Sequence, residues 1–463
     1  MISPSDLVGC RFRAVQHEAY PEVPPTEAAQ ARLNRVEAAR AVVFASLPTR
    51  PATGDRGYFR RGDAGGSFFD TLEAIAAGDT LITDARLEIG DLCVDVDMLV
   101  AMGGGYLPVI ISNHRAARPA PGKKAQFLSV PRLGLGQVLT GEYRIRHHAL
   151  DSYRLAIAGR ALDDMDLSCG FGARIGQDRT RAFLEPLGPL DESLARALAV
   201  PVPDGPRRVK ECDSCRFWPL CSRELEAADD ISLLLPGDRA RTYRERGITT
   251  VQGLIDADLG EASQLAEAYR SGSVLVPRGP VTAPRFDVEL FIDMEAYLDQ
   301  GVYLWGVFDG SSYHAFTAWS LEDEGDAFRA FWSYVTSVRD SASSFGAYCY
   351  SNHGENLWLR RSAARFLDEK GQQEVEEFIN APYWIDVFRL VKSQFIGPFG
   401  LGLKTVAPEA GFNYTGDVDG EASVNLFLAG AREELLQYNE DDCRATATVL
   451  DYLTSSFPAS SPK

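Results

Sequence analysis

The chain has 463 residues, 45% hydrophobic and 24% charged, with a formal net charge of −18. That length divides into two or three domains with well-buried cores. No apolar run approaches the roughly eighteen residues of a membrane span, and no basic segment followed by an apolar stretch opens the chain as a leader would, so a cytoplasmic location without a membrane partner is expected. The acidic balance excludes holding a phosphate backbone by bulk charge, but it is uneven. Lys and Arg stand against Asp and Glu at 10 to 15 over residues 1–100, 22 to 18 over 101–250 and 15 to 32 over 251–463. The middle third, with Arg118, Lys123, Lys124, Arg144 and Arg146 among its cations, can neutralise phosphates along a groove. An active site in the last third needs metal ions between its acids and an anionic substrate.

Taken in chain order, the first informative residue is Cys10, which stands alone. Pro25 to Leu47 has helical periodicity, and Leu81–Ile89, Cys93–Ala101 and Tyr106–Ser112 read as consecutive strands separated by Gly90-Asp91 and Gly103-Gly104-Gly105. Asp95 and Asp97 lie two apart on the middle strand and so share a face. A helix over Asp151–Leu162 and a hairpin around Ile175-Gly176-Gln177-Asp178 follow. Cys212, Cys215 and Cys221 then form a C-x2-C-x5-C run in polar sequence, where core cysteines are not expected. Thiolates at this spacing bind zinc or an iron–sulfur cluster, because two sulfurs separated by two residues turn onto one centre without strain. With one cysteine before the strands and three after them, such a centre ties the two ends of a domain together. Cys93, Cys169, Cys349 and Cys443 are isolated and read as reduced core residues.

Asp229 to Tyr269 is helical, with Gly247 ending one helix ahead of the next, a pattern similar to helix-hairpin-helix modules, and Gly272 to Pro284 reads as a linker. Phe286 to Glu295 is a strand with acids at alternating positions, so Asp293 and Glu295 share a face. Val302–Phe308 and Tyr313–Trp319 continue as a meander. Glu355 follows an Asn-containing turn, Tyr350-Ser351-Asn352-His353-Gly354. Asp386 reads as a hydrogen-bonded structural acid, and Lys404 stands in Leu401-Gly402-Leu403-Lys404-Thr405, where it could meet a phosphate. Tyr438 opens a helix running to Leu453, and Asp442, four residues on, stacks on the same face.

Two resemblances organise these features. The one-plus-three cysteines, Ser5-Asp6-Leu7-Val8-Gly9-Cys10-Arg11 and Trp218-Pro219-Leu220-Cys221 resemble the iron–sulfur RecB-like nucleases, a group with CRISPR-associated exonucleases and AddB-type repair nucleases. That likeness implies a PD-(D/E)XK (restriction-endonuclease-like) domain over residues 1–225, stapled by a [4Fe–4S] cluster on Cys10, Cys212, Cys215 and Cys221. Asp97 fits the family's first aspartate, but Ile110 and Ser112 stand where the acid and lysine belong, which implies a front domain that has lost cleavage and keeps a DNA-binding or scaffolding role. His114 with Asp97 as an altered metal site is the sharper alternative. The Asp-x-Glu strand and the Tyr-x3-Asp helix resemble the DEDDy exonucleases of the RNase H-like superfamily, which include polymerase proofreading domains. Carried over to residues 281–463, this makes Asp293, Glu295, Glu355 and Asp442 ligands of two Mg²⁺ or Mn²⁺ ions and Tyr438 the residue that orients the water.

Together with a helical connector over 226–280, the α/β multidomain architecture resembles a bacterial group of RecB-like nucleases carrying an iron–sulfur front domain and an RNase H-like 3′-5′ exonuclease domain. The expected activity is hydrolysis of phosphodiester bonds from a single-stranded DNA end in repair or processing, with a helicase as candidate partner. The alternative is a catalytically silent nucleic-acid-binding adaptor.

Overall fold

The computed structural model describes residues 1–50, 58–297, 301–320, 322–416 and 420–455. The chain divides into two units, residues 1–250 and 251–463, so that the expected connector over 226–280 is shared between them. Among the described residues no helix is long and apolar enough to cross a membrane.

The first unit is built on eight strands: β1 (Arg61–Asp63), β2 (Leu81–Ile89), β3 (Leu92–Met102), β4 (Gly105–Ile111), β5 (Ala117–Ser129), β6 (Leu139–Ile145), β7 (Phe171–Ile175) and β8 (Arg181–Pro186). Their order across the sheet is β1-β2-β3-β4-β7-β8-β5-β6. The β2–β3–β4 meander is antiparallel, as the glycine-punctuated sequence predicts, and β7 joins β4 in parallel after the helix Ala149–Asp164. Apolar residues on both sides of the strands give two cores. Val94, Val96 and Ile110 pack with Leu155, Ala158 and Leu162 of that helix, while Met98, Val109 and Ile175 pack with Ala39 and Val43 of the helix Glu27–Ser46 on the other face. Helices on both faces of a mixed sheet form a three-layer α/β unit.

The β5–β6 ribbon lies at the end of this sheet and is absent from the sequence expectation. Its segment Ala117-Arg118-Pro119-Ala120-Pro121-Gly122 carries two prolines, which cannot donate to a ladder. The structure accommodates them at an irregularity: the β5–β6 register breaks between Pro119 and Lys124, and β8 pairs only with the proline-free end of β5.

The second unit carries β9 (Val276–Pro277), β10 (Val288–Tyr297), β11 (Gly301–Phe308), β12 (Tyr313–Thr317), β13 (Phe345–Cys349), β14 (Trp384–Asp386) and β15 (Phe395–Ile396). Five of them form a sheet in the order β12-β11-β10-β13-β14, while β9 and β15 pair separately. β10, β11 and β12 are an antiparallel meander, and β13 and β14 run parallel to β10. Trp305 packs with Phe328, Phe331 and Trp332 of the helix Glu324–Ser341 in one core, and Phe291 and Tyr348 pack with Cys443, Val449 and Leu450 of the helix Arg432–Ser455 in another. That last helix begins six residues before Tyr438, not at it, so Tyr438 and Asp442 sit mid-helix, where their backbone is rigid. The glycine-ended helical pair resolves as Arg241–Glu245 and Val251–Asp256, with Gly247 at φ 81°.

Candidate functional site

The edge of β10 facing the helix Arg432–Ser455 holds an acidic cluster. Asp293 and Glu295 project from β10 and Asp442 from the helix, and one carboxylate oxygen of each lies within 4.8 Å of the others; no other group of three ligating side chains meets this spacing among the described residues. Burial, with Asp442, Glu295 and Glu355 close by, pushes the Asp293 carboxyl well above its ordinary range. Burial also lifts Glu295 to about 7 and Glu355 to about 8, and raises Asp442 despite the opposing Lys404 ammonium. Hard oxygen donors crowded in a poorly solvated place are what a divalent cation with oxygen preference requires, so the donor set fits Mg²⁺ or Mn²⁺.

The two strand acids are held by neighbours that the sequence pattern does not reveal, and Asp442 by two that it does. Asn439 Nδ2 donates to Asp293 Oδ2 at 2.7 Å, and Tyr313 Oη donates to Asn439 Oδ1 at 2.7 Å, which fixes the amide so that its NH₂ faces the acid. Gly306 is the register partner of Asp293 on β11, and a Cβ there would sit 1.7 Å from Asn439 Oδ1, so only glycine admits this amide. Ser423 Oγ donates to Glu295 Oε2 at 2.7 Å and lies 3.2 Å from Tyr303 Oη. The Tyr438 hydroxyl reaches Asp442 and helps hold it charged. Lys404 Nζ pairs with Asp442 Oδ1 at 2.8 Å and lies over the rings of Tyr414 and Tyr438, 3.7 and 4.6 Å from their centroids.

Glu355 is buried in the first turn of the helix Asn352–Phe366, close enough to repel Asp293, but it is outside the 4.8 Å group. Asp386 is the structural acid expected: it accepts from the amides of Ser351, Asn352 and Arg389 at 3.2, 3.2 and 2.9 Å.

Asp97, on β3 of the first unit, is buried very differently. It accepts from the Ile111 amide at 2.8 Å and from Arg154 at 3.0 Å and is ion-paired with Arg40 at 2.9 Å, and Arg40 also grips Asp84. Opposite it the β2–β3 ladder skips Asp84, which has a left-handed φ of 53°. Two guanidiniums occupy the space a metal would need. His114, the alternative partner of Asp97, stacks on His148 with ring centroids 3.7 Å apart.

Cys10, Cys212, Cys215 and Cys221 do come together, lining one cavity with Phe12, Gln16 and Trp218. Gln16 Nε2 donates to Cys221 Sγ at 3.4 Å and the Val209 amide to Cys212 Sγ at 3.3 Å. Burial pushes the Cys212 and Cys221 thiols up to about 11 and raises Cys10, so these sulfurs need an added positive centre to persist as thiolates. No three of the four sulfurs fall within 4.8 Å of one another, whereas a zinc tetrahedron with bonds of about 2.3 Å would bring them to about 3.8 Å. Of the other cysteines, Cys93, Cys349 and Cys443 are buried and Cys169 partly so, all four as free thiols.

Residues 290–454 match the RNase_H_2 family, described as RNase_H superfamily. The chain is also similar, at 14% identity and a TM-score of 0.25, to a solved structure named "Crystal structure of SSO0001", over 48% of this chain and 86% of that one, a likeness too slight to carry an argument. No curated protein matches the chain. Residues 290–454 are thus an RNase H-like domain, with an acidic triad on its first strand and last helix.

Proposed function

We propose that this protein is a metal-dependent nuclease whose RNase H-like domain removes nucleotides 3′ to 5′ from single-stranded DNA ends in repair or processing. The observation that carries the reading is the convergence of Asp293, Glu295 and Asp442 within 4.8 Å on a domain of the RNase H superfamily. Asp293, Glu295 and Asp442 would hold the metal, with Glu355 behind them. When bound, divalent ions supply charge stabilisation to the attacking and leaving oxygens of the phosphodiester. The remaining work belongs to the chain. Asn439 and Ser423 fix the two strand acids, and such support commonly governs metal affinity 10- to 100-fold. Tyr438, rigid on its helix, orients the attacking water. Lys404, held between two tyrosines, neutralises Asp442 and is placed to meet a substrate phosphate.

In this reading residues 1–225 are a RecB-like PD-(D/E)XK domain without cleavage. Its helix, three antiparallel strands, second helix and parallel strand support that fold, and the sealing of Asp97 by two arginines supports the loss. The four cysteines would hold a [4Fe–4S] cluster, which joins the two ends of the domain; the spread of their sulfurs favours it over zinc. Residues 226–280 act as connector and 281–463 as exonuclease, with a helicase the expected partner in a cell.

The test is incubation of the full chain with end-labelled single strands, duplexes and overhangs in Mg²⁺, Mn²⁺ or EDTA. Metal-dependent shortening from the 3′ end is expected. Lys404 at 2.8 Å from Asp442, a built-in cation among the acids, favours a second reading, the silent adaptor. Binding of nucleic acid with no cleavage in either metal would establish that reading instead.

A further inference from the structure

We propose that the β5–β6 ribbon of the first unit is a docking surface for the phosphate backbone of double-stranded DNA. The proposal deepens the nuclease reading and rests on it for nucleic acid as the partner. Residues 115–146 carry seven Lys and Arg and one acid, Glu142, in a chain whose net charge is −18. The two faces of the ribbon differ in character, although Leu139 at its end is exposed. Phe127, Tyr143 and Ile145 turn inward onto Phe183, while Arg118, Lys124, Gln126, Glu142, Arg144 and Arg146 are exposed.

The register makes this surface more than a solvated face. Arg118 and Arg144 are direct cross-strand partners, both exposed, and like charges placed opposite each other destabilise a ladder. An anion between the two guanidiniums converts that repulsion into a clamp. The single acid does not relieve it, because Glu142 accepts from the Gly122 amide at 3.2 Å and so serves the turn beside Lys123 and Lys124. Backbone contacts of this kind carry no sequence information, and the choice of duplex follows from what the face lacks. Single strands are held by stacking on aromatic side chains, and the outward positions of the ribbon bear none, its aromatics being turned to the core. A duplex offers a denser line of phosphates and asks for cations alone.

The experiment uses the full chain in EDTA, a fluorescent 20-base-pair duplex and the matching single strand, with affinity measured between 50 and 200 mM KCl. Each phosphate that is no longer neutralised lowers the steepness of log K against log salt by about 0.9. Arg118→Gln with Arg144→Gln should therefore reduce the duplex slope by about 0.9, the value for the one phosphate they clamp, and weaken duplex binding at least about 10-fold at low salt, with little change for the single strand. Melting temperature should hold or rise, since a repulsive pair is removed, and Arg144→Lys should keep the slope. An unchanged duplex slope, an equal loss for both substrates, or binding to phosphatidylserine vesicles in place of DNA would overturn the proposal. Cleavage of single strands is assayed in parallel. Its absence in the wild type would overturn the nuclease reading and leave the ribbon result standing.

Discussion

Asp97 and Asp293 occupy comparable positions, each on a long strand of an antiparallel meander inside its sheet and each beneath a helix, yet their charges are met in opposite ways. Asp97 is answered from within the protein by Arg40, Arg154 and a backbone amide. Asp293 is answered by one neutral amide and faces Glu295, Asp442 and Glu355, with Lys404 the cation paired to the cluster. A buried carboxylate with two fitted guanidiniums is complete, and removing one partner strands the others. Several buried carboxylates around one lysine are incomplete and must take up either protons or metal. The difference teaches that an acidic residue marks a metal site by what its neighbours leave uncompensated.

The strongest way to break this comparison is paired substitution. Asp293→Asn should lower cleavage by more than about 10³-fold, since losing a metal-site carboxylate removes several kcal/mol of transition-state stabilisation. Asp97→Asn should leave the rate constant nearly unchanged. Its cost should appear in folding, about 2–3 kcal/mol of stability, below the value for fully buried pairs because Arg40 and Arg154 are partly exposed and can turn to water. Rate and chemical denaturation measured on both variants check this. If Asp97→Asn abolished cleavage and Asp293→Asn did not, the two assignments would exchange places.

A finer division lies within the second site. Tyr438→Phe should lower turnover about 10²–10⁴-fold, the range for one positioned acid–base group, and leave Mn²⁺ affinity by calorimetry as it was. Asp442→Asn should weaken Mn²⁺ binding and abolish turnover. Full activity in Tyr438→Phe would reduce the Tyr438–Asp442 spacing to ordinary helix packing.

The clustered acids were legible because they sit in local patterns, Asp293-x-Glu295 on an alternating strand and Tyr438-x3-Asp442 at helical spacing, just as the four cysteines announce themselves by spacing. Their supports were not. Asn439 lies one residue from Tyr438, but its use depends on Gly306 and Tyr313, more than a hundred residues away. Arg40 and Arg154 reach Asp97 from two helices on different parts of the chain, so the expectation of a silent Asp97 rested on Ile110 and Ser112, not on the arginines that pair with it. The β5–β6 ribbon was hidden by Pro119 and Pro121, whose strand character exists only because a ladder break accommodates them.

The smallest effect concerns protons. Glu295, at about 7, and Glu355, at about 8, bind protons in the folded metal-free protein that the unfolded chain, with glutamates near about 4.3, has already released. Between those limits the native state carries more protons, so stability falls as pH rises. Melting temperature of the metal-free protein should therefore decline from pH 5 to pH 8, at about 2–4 °C for each kcal/mol lost by a unit of this size. Added Mn²⁺ should restore more at pH 8 than at pH 6, because protons no longer compete for the carboxylates. Other groups titrate in this range, so the informative quantity is the difference between wild type and Glu295→Gln, in which the decline should flatten. Asp97→Asn should retain the full decline, since its carboxylate is already satisfied by arginine. A wild-type slope no steeper than that of Glu295→Gln would mean that the three acids are compensated without metal, and the contrast between the two aspartates would lose its physical basis.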